Sequence, residues 1–203
     1  MRELTSVVLA SASPRRYELL AALGLSIRVV PSAIDEGDIP GYGPRELAAY
    51  YAGAKADAVA AREAAGVIVA ADTVVDVDGV AFGKPVDAAD AARMLGALSG
   101  REHLVHTAYV VVDTATRARI AATHSTQVSF ATLSAGDVAA YVASGEPMDK
   151  AGAYGIQSRG AALVERIDGD FYTVMGFPLG DFVRRLPDLG YRLGRDRLKG
   201  DAA

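Results

Sequence analysis

Five polar clusters in this 203-residue chain could do chemistry on an anionic ligand. The first is Ser11-Ala12-Ser13-Pro14-Arg15-Arg16, which follows the apolar run 7–10 and precedes Glu18-Leu19-Leu20. A strand running into a helix opened by proline exposes unpaired N–H groups and the positive end of the helix dipole, and both favour an anion. The hydroxyls and the adjacent arginines add donors suited to phosphate oxygens. A capped surface helix with solvated arginines fits the same residues. The second cluster is Asp72-Thr73, at the end of the apolar run 67–71. A carboxylate at the end of a buried strand can bind a metal or orient a water; a turn-forming aspartate before a hairpin is the plainer reading of these residues alone.

The third cluster, Gly79 to Pro85, looks like a Walker A loop but is one residue short, with Pro85 where a hydroxyl would meet magnesium. Lys84 can still meet a phosphate as a point charge. The fourth is Asp35-Glu36 with Asp38, hard oxygens that suit a cation or simply a solvated acidic loop. The fifth runs Asp149-Lys150-Ala151-Gly152-Ala153-Tyr154-Gly155-Ile156-Gln157. Its glycines permit close backbone approach, Lys150 offers charge, and Gln157 has the paired donor and acceptor that can read a base edge.

The elements that must position these residues alternate between two periods. Strands are expected at 7–10 and 27–30, with a helix between them that Ser13 caps and Gly24 stops. After a loop at 32–43, Pro44 opens a helix to about residue 63, with Leu47, Tyr50, Tyr51, Ala54 and Ala58 on its apolar side. A strand at 67–71 leads into a hairpin turned by Asp78-Gly79. A helix at 87–98, long strands at 102–113 and 117–131, and a helix at 135–143 capped by Ser134 follow. Residues 145–160 read as an irregular loop, 162–167 and 171–174 as short strands, and 179–186 as the last helix. The expected fold class is α/β: a mixed sheet with flanking helices, in one domain over 1–190, with a mobile tail over 191–203.

Composition narrows the function classes. The chain has no cysteine, which excludes disulfides and cysteine-ligated metals. Its net charge of −4 speaks against a general nucleic-acid binder. No apolar run approaches the ~20 residues that span a bilayer, and no signal-peptide pattern is present, so a cytoplasmic protein is expected. His103 and His106 fall on opposite sides of one strand and His124 is remote, so they read as structural. Neither a nucleophile elbow nor a dinucleotide fingerprint occurs.

The order and spacing of the clusters resemble the Maf family of nucleotide pyrophosphatases. The resemblance runs from the opening Leu9-Ala10-Ser11 through Ile34-Asp35-Glu36, Lys55, Ala71-Asp72-Thr73, Gly83-Lys84-Pro85 and Leu98-Ser99-Gly100 to the block ending at Gln157. It implies a fold like that of inosine-triphosphate pyrophosphatases, with two lobes around a central cleft. It also implies cleavage of nucleoside triphosphates between the α and β phosphates, a magnesium or manganese requirement, and a cytoplasmic homodimer. By the same resemblance Asp72 is the general base, Ser11, Ser13, Arg16, Lys55 and Lys84 contact phosphate, and Glu36 joins Asp72 at the metal. Members acting on dTTP and UTP carry the equivalents of Arg15, Thr73 and Gln157, whereas some relatives have an acid where Gly83 stands. Family members are also associated with septum formation, so a nucleotide-gated, non-enzymatic regulator of cell division is the alternative.

Overall fold

The computed structural model describes residues 1–194. In chain order the elements are β1 (Arg2–Glu3), β2 (Ser6–Leu9), α1 (Pro14–Ala21), β3 (Ser26–Val29), α2 (Pro44–Ala60), β4 (Val67–Val77), β5 (Val80–Phe82), α3 (Ala88–Leu98), β6 (Glu102–Asp113) and β7 (Arg119–Phe130). They continue with α4 (Ala135–Ala143), β8 (Val164–Asp168), α5 (Phe171–Met175), α6 (Leu179–Arg185) and β9 (Tyr191–Arg192). The main sheet has the order β3-β2-β4-β6-β7-β8, with β5 folded back on β4. Strand β2 runs parallel to β3 and β4, and the remaining pairs are antiparallel, so the sheet is mixed as expected.

Strand β4 organises the molecule. Alternate side chains of a strand point to opposite faces. Val67, Val69 and Ala71 therefore enter one core with Leu20, Tyr109, Phe177 and Phe182, while Ile68, Ala70 and Val74 enter another beneath α2. A third apolar cluster gathers at the far end of the long strands, where Val75 and Phe82 meet Leu95, Phe130 and Tyr154. Strands β4, β6 and β7 join these cores, and the main cleft opens between them.

Several elements differ from expectation, each for a local reason. Asp72 does not end a strand. Strand β4 is continuous through it, because pairing with β6 runs from Val67↔Asp113 to Asp76↔Leu104 and the carboxylate is met by a cation within the fold. The inward face of helix α2 is rotated slightly from expectation: Leu47 and Tyr51 are buried as expected, but Tyr50 is 47% exposed, whereas Ala48, Ala52 and Ala56 are fully buried. A row of alanines at every fourth position lets the helix lie close against the sheet. Residues 171–175 are helical and not extended, since the Asp170 carboxylate accepts from Thr173 N at 2.7 Å and caps the turn against the β preference of Phe-Tyr-Thr-Val. The 145–160 loop is built of short 3₁₀ turns at Glu146–Asp149, Ala151–Ala153 and Ser158–Leu163. The expected mobile tail begins too early: Tyr191 is buried and β9 pairs with β1, while residues 195–203 lie outside the described residues.

Candidate active site

The cleft arises from a gap at one edge of β4. Strand β2 stops at Leu9, opposite Val69, and β5 rejoins that edge only at Val75. Between them the edge has no strand neighbour among the described residues, and Asp72 and Thr73 sit in this opening with their side chains on opposite faces. A cavity of about 620 Å³ occupies it. All ten residues singled out by the resemblance line the cavity: Ser11, Ser13, Arg15, Arg16, Glu36, Lys55, Asp72, Thr73, Lys84 and Gln157.

On the α2 face, Asp72 is 4% and Lys55 6% exposed. The Lys55 ammonium lies 2.5 Å from Asp72 Oδ1 and 2.6 Å from Glu36 Oε1, so one cation bridges both carboxylates. Burial pushes the Asp72 carboxyl above the ordinary aspartate range, while Lys55 and Arg16 pull it back and Glu36 adds to the rise. Neither Asp35 nor Asp38 pairs with Lys55; of the acidic loop, only Glu36 reaches it. Tyr51, one turn before Lys55 on α2, holds the loop in place. Its hydroxyl accepts from Gly37 N at 2.8 Å and donates to Gly37 O at 2.6 Å.

On the other face, Arg16 is buried, and each of its three nitrogens makes one hydrogen bond, which leaves two N–H donors free. It donates to Gly176 O at 2.9 Å, Ser11 Oγ at 3.1 Å and Thr73 Oγ1 at 3.0 Å. Burial lowers its pKa, with Asp72 the main opposing influence. Ser13 occupies the N-cap position of α1, but its side chain makes no capping bond; its N–H donates instead to Ser11 Oγ at 3.2 Å. The first-turn amides thus keep their capacity for an anion. Arg15 pairs with Asp149 at 3.1 Å, which ties α1 to the 146–157 segment across the cleft. Lys150 is held by Asp149 Oδ1 and Glu146 O, both at 2.6 Å. Lys84 is exposed on the rim, and neither it nor the Gln157 side chain has a hydrogen-bond or ion-pair partner among the described residues.

Sequence reasoning missed Tyr51, Thr107, Thr173 and Glu146. Each is an unremarkable residue within a periodic element or loop, and no motif marks it. The i, i+4 spacing of Tyr51 and Lys55 was the one available signal. As for a metal, the described residues contain no cluster of three or more suitable ligands. The two carboxylates, Glu36 and Asp72, are hard-oxygen donors and fit magnesium or manganese, ions that commonly take one or two protein carboxylates with substrate phosphates and water completing the shell.

The sequence model of Maf-like proteins matches residues 6–189. The chain is 47% identical over 190 residues to the dTTP/UTP pyrophosphatase of Geobacter metallireducens, a match covering 94% of this chain and 99% of that one. It is 50% identical over 177 residues to the dTTP/UTP pyrophosphatase of Moorella thermoacetica, covering 87% and 91% respectively. Among solved structures it is similar to the Staphylococcus aureus Ham1 protein, with a TM-score of 0.46, 14% identity and coverage of 79% and 80%.

Proposed function

This chain belongs to the Maf family, and we propose that it hydrolyses nucleoside triphosphates, dTTP and UTP foremost, to the monophosphate and pyrophosphate. The observation that carries the reading is the buried Asp72 carboxylate, bridged through Lys55 to Glu36 on the floor of a cleft whose walls carry Arg16, Lys84 and the uncapped start of α1. A buried carboxylate fixed by a lysine and facing phosphate-binding groups suits activation of water better than simple retention of a nucleotide.

In this reading the triphosphate lies along the open edge of β4. Asp72 orients a water and takes its proton as the water oxygen bonds to the α-phosphorus. The bond from that phosphorus to the bridging oxygen breaks, and the electron pair leaves with pyrophosphate. Lys55 aims Asp72 and has a third N–H for a phosphate oxygen. Arg16 and Lys84 offset the phosphate charge, Ser11 and Ser13 donate hydrogen bonds to phosphate oxygens, and most of the acceleration comes from positioning and charge stabilisation. Glu36 and Asp72 would hold a divalent ion, which would polarise the phosphates and offset their charge. Arg15, Thr73 and Gln157 meet the base. The reading includes a homodimer in the cytoplasm, which rests on the resemblance alone.

The test is pyrophosphate release from dTTP, UTP, CTP, GTP and 7-methyl-GTP, with magnesium, with manganese and with chelator. Metal-dependent release, strongest for dTTP and UTP and lowered at least ~10²-fold by Asp72→Asn, is the expected result. Nucleotide binding without turnover would leave the regulatory role instead.

A further inference from the structure

Thr73 is the end of a directed chain of hydrogen bonds. Thr107, which is fully buried, lies opposite it on β6. The Thr107 hydroxyl is 2.7 Å from the carbonyl oxygen of Thr173 and 2.9 Å from Thr73 Oγ1. A carbonyl can only accept, so the single proton of Thr107 points at Thr173, and Thr107 must accept from Thr73. Arg16 Nη2 stands 3.0 Å from the same Thr73 oxygen and can only donate. The proton of Thr73 is therefore committed to Thr107, one lone pair is committed to Arg16, and what remains for the cleft is a lone pair.

The geometry points to Thr107 as a positioning residue that fixes Thr73 as an acceptor and so selects a nucleobase offering an N–H at that place, uracil or thymine, over cytosine. This rests on the reading that Thr73 meets the base. Along their pairing edges uracil and thymine present acceptor, N–H, acceptor, with the donor at N3. Cytosine has a bare acceptor at N3, which would face the Thr73 lone pair with no proton between them. An acceptor left facing another acceptor loses its hydrogen bond, and a site built on hydrogen bonds rejects an analogue on that ground. Thr107 touches no substrate. It acts by consuming a proton that Thr73 could otherwise turn towards cytosine.

Thr107→Val tests this, because valine keeps the shape and removes the hydroxyl. The Thr173 carbonyl still accepts from Gly176 N at 3.1 Å, so the variant leaves no new unsatisfied group there. The measurements are kcat/KM for UTP and CTP, and the dissociation constants of their non-hydrolysable α,β-imido analogues, on wild type, Thr107→Val and Thr107→Ser. The UTP:CTP ratio is expected to fall about tenfold in Thr107→Val, by both turnover and binding, and to return in Thr107→Ser. An unchanged ratio in a valine variant that melts cooperatively overturns the inference while leaving the hydrolytic activity standing. A wild type that binds and discriminates the analogues but cleaves nothing sinks the proposed function, and the binding ratio still decides the role of Thr107. Should valine prevent folding, Thr107→Ala gives the same reading.

Discussion

A general base must be ionised at working pH and yet shielded from bulk water, demands that oppose each other. Asp72 reconciles them by compensation: burial raises its pKa, and Lys55, in direct contact, and Arg16 lower it. The acid limb of the pH–rate profile should therefore lie above the ordinary aspartate value of ~3.9. Its position should depend on Lys55. Removing that charge leaves only Arg16 to oppose burial and Glu36, so the carboxylate holds its proton to higher pH. Lys55→Met is expected to move the Asp72 titration upward, read by ¹³C NMR of the carboxyl even if turnover is lost. A downward or null shift would mean that Lys55 does not set the charge state of Asp72. At this scale the sequence was most informative, because motif residues announce themselves by type and spacing. The partners that give them direction, such as Thr107, do not, being single hydroxyls in strands whose pairing register no local signal reveals.

Helix α2 shows how an element carries two functions on one face. Its alanine row sets the approach to the sheet, and Tyr51 and Lys55, one turn apart, hold the acidic loop at two points: Gly37 by hydrogen bonds, Glu36 by charge. Tyr51→Phe keeps the packed ring and removes only the hydroxyl. The loop should loosen, and the magnesium concentration for half-maximal activity should rise several-fold while the melting temperature changes little. In a Glu36→Gln background the same substitution should have a much smaller effect, since the carboxylate it positions is gone. Equal effects in both backgrounds would make Tyr51 a packing residue. The helix itself was legible from its period and its opening proline, and Leu47 and Tyr51 lie inward as expected, but the alanine row was not legible. Large apolar residues draw attention to Tyr50, whereas the contact is made by side chains small enough to allow it. Helix α5 was misread for a comparable reason: a cap from Asp170 outweighed the β preference of four consecutive residues.

At the scale of the whole molecule, the mixed sheet and its long antiparallel strands followed from the alternation of periods, but the cleft did not. It depends on β2 ending opposite Val69, near the start of β4, a difference in strand length visible only once the register is set. The wall of the cleft at Tyr154 is in turn anchored in the third core through His103, which its spacing from His106 on one strand already marked as structural. His103 is 4% exposed, stacks edge-on with Phe130 and Tyr154, and shares a 2.7 Å hydrogen bond with the Tyr154 hydroxyl. Its Nδ1 has no partner among the described residues. Burial lowers its pKa to about 4. The unfolded chain takes up that proton near the ordinary value of ~6.5, so the stability owed to the neutral ring is complete above that pH and drains away as pH falls towards the folded value, about 3 kcal/mol in all. Urea midpoints at pH 7 and pH 4.5 should therefore separate wild type from His103→Gln. The wild type is expected to lose on the order of 2–3 kcal/mol more than the variant over this interval. Glutamine can still reach Tyr154, so the difference isolates the proton and not the hydrogen bond. Equal losses would place the acid sensitivity among the surface carboxylates. A larger loss in the wild type would tie it to the core that supports the cleft wall.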